Sequence, residues 1–358
     1  MVRVPMLRDE QRTFLLRLLE TASPSGFEEP AARVWREEAS RFADDVWVDQ
    51  NGNSFARLRG SGPTVLIEGH IDEIGLMVTH VDEQGYLWFR AIGGWDDQIL
   101  TGQRVRILTR HGPVTGVIGR KPAHLLSEEE KGRASRIKDL WIDIGARDGA
   151  EARELVRVGD PVVIEQPPVE LRNGRLVARG LDNRMGAFVA LEALRALATN
   201  RPPLEVVALA ATQEEISFLG ARTAAFAVEP VVAIVIDVTH ATDHPEADKR
   251  GGGDVRIGGG PVLDRGSMVH PLVFERLLAA AEAEGIPVTI SAAPTRTGTD
   301  ADAIAPARAG IPCGLVSVPN RYMHSPNELV SLDDLDATIR LIARFVRDLG
   351  PSPDLRRL

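Results

Sequence analysis

The chain has a single cysteine in 358 residues. Cys313 therefore has no partner for an internal disulfide, which suits a reducing compartment. Its neighbours in "GIPCGLV" are apolar and read it as a small core residue. Positive charge is also scarce: 42 lysines and arginines stand against 51 acids, a net charge of −9. A nucleic-acid backbone or an anionic membrane is thus a poor electrostatic match. No apolar run reaches the roughly 18 residues that a membrane span needs, and there is no internal repeat. The opening "MVRVPMLRDEQRTFLLRLLE" is charged and helix-patterned and lacks a signal-peptide core, so a cytoplasmic location is expected. What remains is an ordinary globular composition, 44% hydrophobic and 26% charged, with length for one large domain and a smaller one.

The first 40 residues read as two helices broken at "TASPSGFEEP", where Glu28 and Glu29 suit a helix start. A hairpin turning at Asn51-Gly52 follows, then the strand-like run "TVLIEGH". From Ile74 to Pro167 the pattern shifts to short alternating stretches punctuated by glycine, such as "YLWFRAIGG", "QRVRILT" and "PVTGVIG". That pattern predicts a small all-β barrel or sandwich. Within it, "SEEEKGRASRIKD" reads as a solvated loop. After Pro168, helix and strand alternate again. "LEVVALAATQEE" and "VVAIVIDVTH" have the continuous apolar character of parallel strands covered on both faces. "NRMGAFVALEALRALA", "VFERLLAAAEAEG" and "SLDDLDATIRLIARFVRDLG" are helical, the second closed by Gly285 and the third starting at Ser331. The expected organisation is an α/β domain from residues 1–73 and 168–358, interrupted by an inserted β domain over 74–167.

Four segments share one format, an apolar run ending in residues that bind metals. They carry His70 and Asp72, Glu214 and Glu215, Asp237, and His324. Ligands of open α/β sheets bind beyond the carboxyl ends of the strands, so these four ends are expected to converge. "GLDNRMG" adds Asp182 just before a helix. Taken singly, each piece has a plainer use: a hydrogen-bonded pair, a wet surface, an N-cap or a turn. His80, His111, His124, His240, His244 and His270 are read that way, His240 least firmly because it lies three residues past Asp237. Two histidines with carboxylates and no thiolate suit zinc, cobalt or manganese. If Asp182 bridges two ions, one takes His70, Asp182 and Asp237 and the other Asp182, Glu215 and His324. Asp72, two residues beyond His70, is placed to hold the imidazole's other nitrogen. Glu68 and Glu73 have no assignment, Glu73 being either a support to the site or the turn into the insertion.

The stretches "GHIDEIG", "GLDNRMG", "TQEEISFLGAR", "IDVTHATDHP", "GTDADAI" and "PNRYMHSPNE", in this order over nearly the whole chain, resemble the M42 family of metallo-aminopeptidases. The resemblance implies a phosphorylase/hydrolase-like α/β catalytic domain holding zinc or cobalt pairs. It also implies an inserted PDZ-like β domain used for dimerisation, and twelve-subunit particles built from dimers. By motif position, Asp72 and Glu214 correspond to catalytic residues, and His70, Asp182, Glu215, Asp237 and His324 to ligands. It further implies a cis peptide between Asp182 and Asn183. Two departures stand out: "EEISFLGAR" is bulkier after the glutamate pair than the usual glycine-rich form, and "GPVLDRGSMVH" is irregular.

The expected reaction is removal of the N-terminal residue of a short peptide, with two divalent ions per subunit and Glu214 as general base. Thr299 and Asp300 in "TGTDAD" mark a candidate substrate loop. Trp88, Phe89 and Trp95 are candidates for interface anchors or for the core of the β domain. Two rival readings remain: a glycoside hydrolase using two carboxylates, which needs neither His70 nor His324, and a non-catalytic scaffold braced by metal.

Overall fold

The computed structural model describes residues 7–128 and 132–356. The first six residues of the helix-patterned start, and residues 129–131 of the charged stretch, lie outside the described residues. The two early helices form at Asp9–Glu20 and Glu29–Ala39. The hairpin follows as β1 (Asp45–Val48) and β2 (Ser54–Leu58), and then β3 (Thr64–His70). The inserted segment contributes β4 (Gly75–Val81), β5 (Leu87–Ile92), β6 (Arg104–Thr109), β7 (Gly112–Gly119), β8 (Trp141–Asp143) and β9 (Pro161–Ile164). Beyond it lie β10 (Val169–Leu171), β11 (Arg175–Ala178), β12 (Glu205–Ala211), β13 (Val232–His240), β14 (Val262–Gly266), β15 (Thr289–Ala293), β16 (Cys313–Asn320) and β17 (Glu328–Ser331).

The main sheet has the order β1-β2-β12-β3-β13-β16-β14-β15. Its centre, β12-β3-β13-β16, is parallel throughout, as the apolar runs predict. Helices bury both faces. Leu181–Ala198 is buried along most of its length, and its Phe188 packs against Phe14 of the first helix. The amphipathic helix Leu332–Asp348 packs beside it with Leu335, Ile342 and Phe345 inward. No helix among the described residues is long and apolar enough to cross a membrane.

The inserted strands close into a barrel, β4-β5-β8-β7-β6-β9, around a separate core that includes Leu76, Phe89, Ile107 and Ile142. The segment is not wholly β. Gly149–Leu155 is a short helix, started by the Asp148 side chain accepting from the Glu151 amide at 2.9 Å. The charged stretch is not wholly solvated either, because Ile137 packs against the barrel core. Of the three aromatics, Phe89 is a core residue. Trp95 is half-buried and donates to the Gly75 carbonyl at 2.9 Å. Trp88 is half-buried and tilted against Trp141.

Candidate metal centre and active site

Strand register explains why residues so far apart in sequence meet. His70, the last residue of β3, pairs with Ala211, the last of β12. On the other side β3 pairs with β13 through Glu68 and Val235, so Asp237, two residues on, is level with His70. Asp237 is therefore inside β13, not at its end as expected; the strand outruns its neighbour by continuing to His240. The helix Leu181–Ala198 crosses β3 at Gly69, where a Cβ would stand 2.3 Å from the Gly186 carbonyl carbon. Only glycine allows that approach, and it brings Asp182 over His70. The Asp182-Asn183 peptide is cis, and Asn183 donates to the Ile236 carbonyl at 2.7 Å.

Asp182 presents one oxygen to each histidine. Its Oδ1 lies 3.3 Å from His70 Nε2, and its Oδ2 lies 3.4 Å from His324 Nε2. Asp237 Oδ1 is 3.9 Å from His70 Nε2, and Glu215 Oε2 is 3.4 Å from His324 Nε2. Two groups follow, His70–Asp182–Asp237 and Asp182–Glu215–His324, each with its ligand atoms within 4.8 Å of one another. They share Asp182, and the donors are imidazole nitrogens and carboxylate oxygens only. That set fits a pair of borderline divalent ions.

Glu214 and Glu215 do not continue a strand. β12 stops at Ala211, Gln213 takes a left-handed backbone (φ 59°), and Glu214–Ser217 is a single helical turn. The two side chains diverge by helical rotation rather than by strand alternation. Glu214 Oε2 comes to 3.7 Å from His70 Nε2, while Glu215 turns to His324. Asp72 holds this turn in place. Its oxygens accept from the Glu214 amide at 3.0 Å, from the Glu215 amide at 3.1 Å and from the Ser25 hydroxyl. Asp72 Oδ1 is also 3.3 Å from His70 Nδ1, near enough to orient the ring. One carboxylate thus places both glutamates and the first histidine.

Sequence reasoning missed several supporting groups. Glu328, the last letter of "PNRYMHSPNE", is buried and accepts from the amides of Asp182 (2.9 Å) and His324 (3.0 Å). It fixes two ligands through their backbones. The inserted barrel also reaches the site: a Cβ on Gly94 would stand 3.1 Å from His324 Nδ1, and one on Gly93 3.5 Å from Glu215 Oε2. Glu28 accepts from the amides of Gly26 and Gln213 beside Asp72. Glu73 turns away from the ligands to Arg179 and Arg184. Glu68 is fully buried beside Asp300, and no carboxylate oxygen of either is satisfied by a good hydrogen bond.

The protonation equilibria record this crowding. Burial first, then Asp237, Asp300 and Asp182, push Glu214 up to about 10 against the pull of His70. Burial, offset in part by His70 and augmented by Asp182, lifts Asp237 to about 7. Burial and Asp182 raise Glu215 as well. Asp182 goes the other way: burial opposes its charge, but hydrogen bonds from His324 and His70 outweigh it and hold the carboxyl well below the ordinary range. Four carboxylates facing two imidazoles in a buried space need more positive charge than the chain provides.

In front of the ligands opens a cleft of about 510 Å³ lined by Glu214, Glu215, Asp237, His324, Thr299 and His240, among others. Thr299 faces it directly, whereas Asp300 lies behind, 1% exposed. His240, read from sequence as a bystander, is at the rim. His80, His111, His124 and His244 are exposed elsewhere, and buried His270 lines a separate cavity beside the starts of β13 and β16. That second cavity contains no metal-holding group among the described residues.

Residues 52–341 match the peptidase family described as M42 glutamyl aminopeptidase. The chain belongs to the M42 family. The lysyl aminopeptidase of Pyrococcus furiosus is 34% identical over 94% of this chain and 96% of its own length. Among solved structures, the TET aminopeptidase of the marine sediment archaeon Thaumarchaeota archaeon SCGC AB-539-E09 superposes with a TM-score of 0.92 at 35% identity, covering 96% of this chain and 97% of that one. The Pyrococcus horikoshii TET1 peptidase, described as assembling into a tetrahedron or a large octahedral shell, gives 0.84 at 32% identity, over 94% and 99%. The M42 chain is thus an enzyme, a hydrolase acting on peptides, with a mixed α/β sheet and a separate closed barrel.

Proposed function

We propose that this M42 enzyme is a two-metal aminopeptidase that removes N-terminal residues from short peptides. The observation that carries the reading is the pair of ligand triads joined by Asp182. Two divalent ions, zinc or cobalt with manganese as an alternative, would polarise the scissile carbonyl there and acidify the attacking water. His70, Asp182 and Asp237 would hold one, and Asp182, Glu215 and His324 the other. Glu214, beside His70 and outside both triads, takes the water's proton and delivers it to the leaving amine. Asp72 positions the Glu214 amide and the His70 ring, so it acts through its neighbours. Thr299 contributes to the cleft wall, and Asp300 supports it from behind.

The chain would divide as 1–73 with 168–358 for catalysis and 74–167 for assembly, the latter a PDZ-like barrel. Self-association into a dodecamer is supported by the TET relatives, one of them described as a dodecamer; assembly from dimers through the barrel and a cytoplasmic location belong to the same proposal. Metal removal tests the chemistry. A strong chelator should abolish hydrolysis of aminoacyl amides, and zinc, cobalt or manganese should restore it; an N-acetylated peptide should resist cleavage. Activity persisting in demonstrably metal-free protein would defeat the reading.

A further inference from the structure

The cleft lining is of two unlike kinds. One is the ligand cluster. The other carries no carboxylate: Ile216, Phe218, Val238 and Met323, with Ser217, Thr239, His240, Thr297, Gly298 and Thr299. Neither lysine nor arginine lines the cleft among the described residues. Ile216 is 52% exposed, an isoleucine left open to water one residue beyond the Glu214-Glu215 pair. Phe218 sits at φ 55°, ψ 24°, a left-handed backbone that a bulky residue adopts only when its surroundings impose it. It closes the helical turn that carries both glutamates and opens the next helix, Leu219–Val228. These are the residues that make "EEISFLGAR" bulkier than the glycine-rich form of the motif.

Charge decides what this wall accepts. With the two proposed ions offset by their own carboxylate ligands and the attacking hydroxide, an acidic side chain entering the cleft would find no lysine or arginine among its lining residues to pair with, and burying an unpaired carboxylate is costly. A basic side chain would find the carboxylates of Asp182, Glu214, Glu215 and Asp237 engaged, three in the ligand triads and one as the base. An apolar side chain displaces water from Ile216, Phe218 and Met323 and gains from burial.

We propose that this wall receives the side chain of an uncharged, apolar N-terminal residue, so that leucyl, methionyl and phenylalanyl peptides are preferred and glutamyl and lysyl peptides are poor substrates. The proposal rests on the aminopeptidase reading. It separates this chain from the lysyl preference in the name of its Pyrococcus furiosus relative and from the glutamyl preference in the family's description.

The test is kcat/KM on a panel of aminoacyl-nitroanilides with the full-length, metal-loaded protein. Leucyl, methionyl and phenylalanyl substrates should exceed glutamyl and lysyl ones at least about tenfold, the scale of discrimination by an apolar pocket. Ile216→Lys puts a cation on the open wall and should lower the leucyl-to-glutamyl ratio about tenfold, with metal content unchanged. Phe218→Gly suits the left-handed backbone and should fold; it should cut kcat/KM about tenfold for phenylalanyl and leucyl substrates and much less for alanyl. A glutamyl or lysyl substrate cut as fast as the leucyl one, or ratios unmoved in both variants, overturns the proposal and leaves the aminopeptidase standing. Failure to cut any aminoacyl amide, with two ions bound, overturns both.

Discussion

Residues 68 to 73 feed two buried charge clusters built on opposite terms. Around Glu73 the carboxylate is paired: it meets Arg179 and Arg184, 2.7 Å from the latter, and accepts from the Ser23 amide at 2.9 Å. Burial opposes its charge, yet the two arginines outweigh burial and lower its proton affinity. A few residues away, Glu214, Glu215 and Asp237 are equally hidden but have no arginine, and their proton affinities rise. The first cluster is complete in the chain alone and ties the start of the barrel to the helix carrying Asp182. The second is complete only with cations from outside. Buried carboxylates are thus a guide to function when their compensating charge is missing, and to architecture when it is present.

Five substitutions would break or sharpen this contrast. The largest effect belongs to Glu214→Gln, which keeps size but removes the base: turnover should fall on the order of a hundredfold to ten-thousandfold while both ions stay bound. Glu215→Gln should instead lose roughly one ion per subunit, partly restored by added metal, as metal analysis of the purified variants would show. The reverse pattern would exchange the two roles.

Next comes Glu73→Gln, which strands two buried arginines. Denaturant unfolding should show a loss of about 3–5 kcal/mol, the usual cost of breaking a buried pair from one side. Because Glu73 has a lowered folded-state proton affinity, its contribution is present above the ordinary glutamate range and is lost as pH falls below it. The stability gap between wild type and variant should therefore narrow in acid. A gap that is constant with pH would mean Glu73 acts only by shape.

Asp334 is an intermediate case, 1% exposed and held by the Gly258 and Gly260 amides at 2.7 and 2.9 Å. Burial outweighs those amides and lifts its carboxyl to about 6. A raised carboxylate contributes most below its unfolded value, so the stability of wild type relative to Asp334→Asn should fall as pH rises from about 4 to about 6, by about 3 kcal/mol. A flat difference over that window, measured by chemical denaturation, would show that the amides dominate.

The smallest effect is expected at Glu68→Gln. Glu68, pushed up to about 8 by burial against the lowering influence of Asp300 and His70, has no well-made hydrogen bond to lose. Below about pH 4 the carboxyl is neutral both folded and unfolded, so an amide there should change stability by no more than about 1 kcal/mol, and metal content at neutral pH should be intact. A large loss of bound metal would instead make Glu68 part of the site.

Much of the site could be read from local pattern because its ligands sit on or just beyond parallel strands, and strand ends announce themselves as apolar runs that stop. His70, Glu215 and His324 follow that rule. Asp237 breaks it, since the offset between β3 and β13 is a tertiary fact that neither strand encodes. The Glu214 turn is hidden for a related reason: "ATQEE" holds no glycine or proline to mark a turn, while Gln213 leaves the strand by a left-handed step invisible in the letters. Glu328 and Glu28 escaped because their carboxylates act on backbone amides of distant segments, for which no spacing rule exists. Phe89 was open between core and surface, as alternation alone leaves any aromatic in a barrel. The Gly149–Leu155 helix was hidden inside a segment whose glycine rhythm speaks for β.

Gly93 and Gly94 carry one more lesson, about modularity. The barrel has its own core and could pass for a detachable accessory, yet its loop lies against the site: a Cβ at Gly94 would crowd His324 Nδ1 at 3.1 Å, and one at Gly93, beside Glu215, would strike Ile74 at 2.6 Å. Excising the barrel would remove the segment that lies against Glu215 and His324, and a foreign barrel grafted there would need an equally narrow backbone at these two positions. The barrel and the main sheet each pack a core of their own, yet they meet at one shared surface, so a change to either is felt by the other.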